Sequence, residues 1–308
     1  MADTIVEASG RPAPAPSASP RRRLSAFLNR HPRLRLALLL APPLGWMGVV
    51  YLGALAVLLV SAFWLLDPLS LAVVHHLSLG NFRTLLHDSV YRTIALRTIG
   101  ISAAVTLADI ALAFPLAYHA ARLATSRARA AILLSVTLPL WSSYLVRIYA
   151  WRLILDTHGL LSWTLGKVHI TGLNLSYTNW AIWIAFTYLW LPFVFFPIYA
   201  SLERIPSSFL EASSDMGAHW PTTLRRVIIP LALPGIVAGS IFSFSLTLGD
   251  YITPTVVGNT QFIGYVVYNN VLGLASNQPF GAAFALVPIF VMAIYLLVAR
   301  RMGAFESL

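Results

Sequence analysis

The feature that most constrains this chain is a series of six long apolar segments separated by shorter polar ones. They lie at 44–66, 93–120, 129–151, 180–201, 231–249 and 283–299. Each is close to the roughly 20 residues that a helix needs to cross the hydrocarbon core of a bilayer. With 58% hydrophobic and only 10% charged residues, the chain lacks the polar side chains that cover a water-soluble globule. The sequence therefore predicts an all-α polytopic membrane protein with six transmembrane helices.

The basic residues predict how the chain is oriented in the membrane. They gather at the ends of apolar segments and not on one face, which argues against a nucleic-acid-binding protein despite the net charge of +10. If the N-terminus is cytoplasmic, only six basic residues fall outside, namely Arg83, Arg92, Arg97, Arg147, Arg152 and Lys167, and 15 fall inside. The positive-inside rule then predicts that both termini are cytoplasmic. The absence of cysteine excludes disulfides and thiolate metal ligands.

Three regions differ in composition. Residues 1–35 are rich in Pro, Ala, Ser and then Arg, which predicts a disordered basic cytoplasmic tail. The apolar run that follows is too long for a signal peptide, so we expect an uncleaved first transmembrane helix within 36–67. The other five helices fall within 80–302, and the longest polar stretch between them on the cytoplasmic side is 202–230.

The polar stretch 202–230 carries a helix–turn–helix pattern. Ser207–Ser208 can cap a short helix over Phe209–Met216, and Gly217 is placed to end it. A second helix is predicted to begin at Trp220 and to re-enter the membrane through Val227–Pro230. Two short helices held parallel to the membrane would suit a docking surface for another protein.

The residues of this stretch resemble the EAA motif of ABC importer permeases, which is Glu-Ala-Ala, three residues, Gly, nine residues, Ile, one residue, Leu-Pro. Here the sequence is Glu211-Ala212-Ser213, Gly217 and Val227-Ile228-Ile229-Pro230. The spacing matches in full. Three identities depart from the pattern, all by small or similar-sized substitutions: Ser213, Val227 and Ile229.

Four other segments resemble the spermidine/putrescine-type branch of that family. They are AFPLAYHAAR at 113–122, LPLWSSYLVRIYAWRLIL at 138–155, LPFVFFPIYASLERIP at 191–206 and GDYITPTVVGN at 249–259. The likeness covers about residues 80 to 300. It implies a type I ABC importer permease fold, with a permease domain at 80–302 and a coupling loop at 202–230. A polyamine is the solute it suggests, although related branches carry ferric iron, sulfate or other small solutes.

The resemblance also implies that solute transport and ATP hydrolysis are carried out by different subunits. In the family, the short helix sits in a groove of the ATPase, so the implied coupling residues are Glu211, Ala212, Ser213, Gly217 and Pro230. This chain has no Gly-rich P-loop, so ATP and Mg would be bound by the partner ATPase, and no cofactor by this chain. The implied partners are ATP-binding cassette subunits, a second permease (sibling or self) and a periplasmic solute-binding protein, in the bilayer of a bacterial inner membrane.

Ionisable and aromatic residues give candidates for the solute path. Asp109 lies midway along the second apolar segment and Asp250 ends the fifth, and a buried ionisable group in a membrane suggests a function. A cation could also contact the aromatic faces of Trp141, Tyr144, Trp190 and Tyr251. These residues could equally have structural roles: Asp109 could pair with a neighbouring helix in a dimer, Asp250 could sit in the membrane interface, and the aromatic residues could form the interfacial belt.

Two other classes of protein are alternatives. An ion-coupled secondary transporter usually shows repeated halves and several intramembrane ionisable groups, of which Asp109 alone is thin support. A membrane scaffold would not require the motif. An enzyme is not expected, because GxSxG and HExxH are absent and the histidines at 75, 76 and 87 lack the spacing of a helical zinc site. Arg147 and Arg152 are expected to reach lipid headgroups or the surface of a binding protein.

Overall fold

The computed structural model describes residue 29 and residues 31–169, 174–273 and 275–301. The predicted disordered tail at 1–35 lies mostly outside the described residues. The described residues divide between Val57 and Leu58 into two compact units. In the first unit, the described part is helical from Pro32 onward.

Helices make up most of the described chain. In chain order they are α1 (Pro32–Met47), α2 (Gly53–Ser61), α3 (Gly80–His87), α4 (Ser89–Tyr118), α5 (Ser126–Thr137), α6 (Tyr144–Ile154), α7 (Leu160–Lys167), α8 (Asn179–Glu203), α9 (Ser207–Asp215), α10 (Trp220–Thr223), α11 (Ile229–Gly249), α12 (Ile252–Gly258), α13 (Ile263–Val271) and α14 (Gln278–Arg301). Three π-helical turns, at Gly48–Leu52, His119–Leu123 and Leu224–Ile228, extend or join them. Two short antiparallel strands, β1 (Leu65–Leu66) and β2 (Val73–Val74), pair with Leu65 opposite Val74.

Five continuous helical stretches are long and apolar enough to cross a membrane. They are Pro32–Ser61, Ser89–Leu123, Asn179–Glu203, Trp220–Gly249 and Gln278–Arg301. They confirm five of the six predicted membrane helices. The first begins at Pro32, four residues before the predicted 36–67. It also ends earlier than predicted, because the chain leaves the helix after Ser61 and turns into β1.

The prediction of one continuous helix at 129–151 is wrong. Helix α5 ends in a 3₁₀ turn at Leu138–Trp141, and α6 leaves it at an angle of 98°. Pro139 lacks the amide that a continuing helix needs, Ser142 is extended with ψ 149°, and its Oγ donates to the Pro139 carbonyl at 2.8 Å. The third membrane segment is therefore broken into two helices, and counting it as one span gives six.

Helices α4, α8 and α11 form the centre of the second unit. Several of the largest side chains with no exposed surface lie along α8, among them Phe186, Phe195 and Ile198. At the α8–α11 contact, a Cβ atom added to Gly239 would lie 2.9 Å from Cα of Val194. The missing side chain thus lets the two backbones approach closely, as small residues do between membrane helices.

Candidate functional site

The loop between α8 and α11 contains the predicted short helix α9, and the predicted second helix begins at Trp220 as α10, the first turn of the continuous stretch Trp220–Gly249. Helix α9 begins at Ser207 with Pro206 at its N-cap and no side-chain capping bond, so the expected serine cap is wrong. Proline already has φ −63° here and needs no side-chain bond to start the helix. Gly217 ends the helix as predicted: its φ is +74°, and its amide donates to the Ser214 carbonyl at 2.8 Å. Only glycine adopts this left-handed conformation readily.

The five implied coupling residues have different environments. Glu211, Ala212 and Gly217 are exposed, and so is Pro230, which lies in the first turn of α11. Ser213 is 3% exposed, and its Oγ lies 2.9 Å from Oγ1 of Thr223. The serine that departs from the family pattern is therefore the buried member of the motif, and its hydroxyl connects α9 to α10.

Three large apolar side chains of the same loop are also exposed. Phe209 is 52%, Met216 81% and Trp220 59% exposed. Their exposure was not predicted from the sequence, although large apolar residues in a polar loop are a visible signal. Exposed apolar surface beside a charged residue is common at protein–protein contacts.

A second group of predicted residues meets at the other end of α11. The Tyr144 hydroxyl, at the start of α6, donates to Oδ2 of Asp250, which directly follows α11. The Tyr144 ring stacks on Trp190 of α8, with centroids 5.9 Å apart. Thr253 Oγ1 also donates to Oδ2 of Asp250 at 2.8 Å, and the Ile252 amide donates to its Oδ1 at 2.8 Å. The structure thus brings together Tyr144, Trp190 and Asp250, and Asp250 additionally caps α12.

The charge of Asp250 has no ion-pair partner in the part of the chain that the structure describes. The rings of the other two aromatic candidates are not stacked on Tyr144 or Trp190. The Tyr251 ring stacks on Tyr268 with centroids 4.7 Å apart, and Trp141 is 81% exposed.

Asp109 lies inside the second unit, on α4. It has no exposed surface, and its Oδ2 accepts a 2.5 Å hydrogen bond from Ser243 Oγ of α11. Its Oδ1 is buried without a hydrogen-bond partner among the described residues. Ser243 precedes Asp250 by seven residues, or about 10 Å along the helix. In this conformation Asp109 presents no surface to a solute, and its hydrogen-bond partner belongs to its own chain.

The arginines of α6 differ from each other. Nε and Nη1 of Arg147 are buried and have no hydrogen-bond partner within the described ranges, whereas Arg152 forms an ion pair with Asp156 at 2.7 Å. The amide of His158 and then the Arg152 guanidinium lower the pKa of Asp156. The described residues contain no group of three or more His, Cys, Asp or Glu side chains that could hold a metal.

Comparison with known proteins places these features in a family. A family model described as "Binding-protein-dependent transport system inner membrane component" matches residues 104–306. The inner membrane ABC transporter permease protein YdcU of Escherichia coli K12 is 43% identical over 300 residues, which cover 93% of this chain and 95% of that protein. The spermidine/putrescine transport system permease protein PotB of the same strain is 33% identical over 230 residues, covering 73% of this chain and 82% of PotB.

A solved structure shows the same fold. One chain of a bacterial alginate ABC transporter, in complex with an alginate pentasaccharide-bound periplasmic protein, superposes with a TM-score of 0.72 and 16% identity. The match covers 91% of this chain and 97% of that chain. Together with the family model and the two relatives, it shows that this chain belongs to the binding-protein-dependent transport system inner membrane components, as a multi-pass inner-membrane permease subunit of an ABC importer.

Proposed function

We propose that this permease translocates a small organic polycation of the spermidine or putrescine class. The observation that carries the proposal is the Asp250 carboxylate, which has no basic partner among the described residues and adjoins the stacked rings of Tyr144 and Trp190. A carboxylate attracts an ammonium group. Trp190 is 7% exposed and supports the Tyr144 ring from inside the protein, so the partly exposed Tyr144 is the ring placed to add a cation–π interaction. The similarity to PotB, which is named for spermidine and putrescine transport, supports the same class of solute.

A solute that also carries an anionic group is the second candidate. Arg147 lies one helical turn after Tyr144 on α6, and its Nε and Nη1 are buried without partners in the described part of the chain. Buried N–H donors without a hydrogen-bond partner are costly, and a carboxylate or sulfate group of the solute would satisfy these two. The 43% identical relative is named as a permease without a named solute, so its name does not decide between the candidates.

The energy source is the other part of the proposal. Family membership decides against the ion-coupled transporter and the scaffold. We propose that α9 docks into a partner ATPase through Glu211, Ala212 and Gly217, next to the exposed side chains of Phe209 and Met216. ATP and Mg would be bound by that subunit, and the solute would be delivered by a periplasmic binding protein to a pair of permeases.

Reconstitution in proteoliposomes with the candidate ATPase and binding protein tests the solute. Uptake of putrescine is compared with uptake of 4-aminobutyrate, which has the same carbon chain but one carboxylate, and with uptake of sulfate. We expect ATP-dependent uptake of putrescine and spermidine. Uptake of 4-aminobutyrate without putrescine uptake would overturn the polycation proposal and favour the second candidate, and uptake of sulfate alone would overturn both.

The Asp250→Asn variant tests the residue that carries the proposal. Asparagine keeps the shape and can still cap α12 but removes the charge. Loss of one close charge contact in a partly wet site costs about 1.4 kcal/mol, so we expect about a tenfold fall in kcat/KM for putrescine. Asp88→Asn is the matched control, because Asp88 caps α4 through a 2.9 Å bond from the Val90 amide. Equal effects of the two substitutions would show that Asp250 acts only as a cap.

A further inference from the structure

Arg122 connects two segments that are 80 residues apart in the chain. It lies in the π-helical turn His119–Leu123 that ends α4. Its Nη2 donates to the carbonyl oxygen of Leu202 at 2.6 Å and to that of Ile205. Leu202 belongs to the last turn of α8, and Ile205 directly precedes Pro206, the N-cap of α9. One guanidinium group therefore spans the junction between α8 and α9, which we call the loop helix.

These two hydrogen bonds are of a strong kind. The last carbonyl groups of a helix lack the usual partner four residues further on, and they favour a nearby positive charge. The Leu202 carbonyl otherwise accepts the amides of Arg204 and Ile205, just past the helix end. Leu202 is 0% and Ile205 6% exposed, so water competes little at either residue. Bonds from a charged donor are shorter and stronger than neutral ones, and a planar guanidinium fixes the direction of both.

Arg129 of α5 adds a second connection at the same place. Its Nε donates to the Ala120 carbonyl at 3.0 Å and its Nη2 to the Ala121 carbonyl at 3.3 Å. Its Nη1 lies 3.6 Å from a carboxylate oxygen of Glu203, the last residue of α8. That pair is half exposed and contributes little on its own, but it ties α5 to the ends of α4 and α8.

Apolar packing holds the loop helix against the same junction. Leu210 of α9 and Leu224, just after α10, pack on a buried cluster that includes Ala121, Leu202 and Ile205. The loop helix therefore packs against the ends of α4 and α8.

We propose that Arg122 is the positioning residue through which a displacement of α9 reaches α4. The chain itself joins α9 to α8 through Arg204–Pro206 and to α11 through α10, so both helices follow the loop helix covalently. Helix α4 has no such covalent connection, and the hydrogen bonds of Arg122 take its place. The inference rests on the proposed role of α9 as the docking helix for an ATPase.

The functional test compares Arg122→Met, Arg122→Lys and Arg127→Met in the reconstituted complex with ATPase and binding protein. Methionine keeps much of the apolar stem but makes neither hydrogen bond. Arg127 is the matched control, because it lies near the same turn and is exposed. The measured quantity is solute transported per ATP hydrolysed. We expect a fall of about fivefold or more for Arg122→Met, at the lower end of typical coupling factors, a smaller fall for Arg122→Lys, and no change for Arg127→Met.

A distance measurement provides a readout that does not depend on transport. Because the native chain has no cysteine, Leu123→Cys in the turn that ends α4 and Ser208→Cys in α9 place two spin labels on exposed positions at either side of the junction. With Arg122 present we expect one narrow distance distribution that is the same with and without ATP. Arg122→Met is expected to broaden it, and Arg122→Lys to broaden it less.

The outcomes separate this proposal from the proposed function. If the native complex neither binds the ATPase nor hydrolyses ATP in response to the binding protein, the docking role of α9 is wrong. If the native complex is active but Arg122→Met matches Arg127→Met in transport per ATP and leaves the distances narrow, the role of Arg122 is wrong. If Arg122→Met does not fold, Arg122→Lys decides, and a lysine variant identical to the native chain in both readouts overturns the proposal.

Discussion

The close approach of α8 and α11 at Gly239 makes a sharp prediction about stability. In Gly239→Ala the new Cβ would lie 2.9 Å from Cα, 3.0 Å from the carbonyl oxygen and 3.1 Å from Cγ1 of Val194. Favourable carbon–carbon contacts need about 3.5–4.0 Å, and two of these three atoms belong to the backbone. No side-chain rotation relieves the overlap, so the two helices have to move apart.

The expected change in the free energy of unfolding follows from two opposing effects. Overpacking of a dense core costs about 1–3 kcal/mol, whereas replacing glycine by alanine within a helix gains up to about 1 kcal/mol. We therefore expect Gly239→Ala to lower the free energy of unfolding by about 1–2 kcal/mol. Gly100→Ala on α4 is the matched control, because nothing lies within 4 Å of its added Cβ, and there only the helix-propensity gain remains.

Unfolding by a denaturing detergent in mixed micelles, followed by tryptophan fluorescence, measures both variants. We expect Gly100→Ala to be the most stable, the native protein intermediate and Gly239→Ala the least stable. A Gly239→Ala protein that is as stable as Gly100→Ala would refute the close α8–α11 approach.

Two further predictions concern the loop helix and the buried carboxyl. Gly217→Ala places a side chain at φ +74°, which costs about 1–2 kcal/mol, so we expect faster amide hydrogen exchange across α9. Gly166→Ala is the control: an added Cβ meets nothing within 4 Å at either glycine, and this variant should leave exchange across α9 unchanged. Asp109→Asn preserves an acceptor for Ser243, and a carboxyl without exposed surface does not contact the solute. We therefore expect solute uptake within about twofold of the native rate. A tenfold loss of uptake in the proteoliposome assay would instead place Asp109 on the solute path.

The membrane helices were predictable because length and apolar composition are local properties of the sequence. The break at Pro139 and Ser142 was not predicted, since proline within a membrane helix is often tolerated and only the extended backbone after it separates α5 from α6. The helix stop at Gly217 was predicted because one residue type determines it.

The contacts of the site were less predictable. From the sequence, Arg122 could be placed only as a cytoplasmic charge, because its partners are backbone carbonyl groups about 80 residues away that carry no side-chain signal. Asp250 was found from its position at the end of an apolar segment. Its bond to Tyr144 depends on the bend between α5 and α6, which sets where α6 begins.

Helix α11 connects the two candidate sites within this chain. It spans 21 residues, or roughly 30 Å, from the loop helix at one end to Asp250 at the other. Near its middle it contacts Val194 of α8 through Gly239, and it is bonded to Asp109 of α4 through Ser243. Helices that touch this closely cannot slide past one another without losing packing. Because Arg122 fastens α4 to the same junction that carries α9, we expect the three helices to move as one block. A displacement of the loop helix would then tilt α11 and carry Asp250 with it, and bending of a single helix would not be needed.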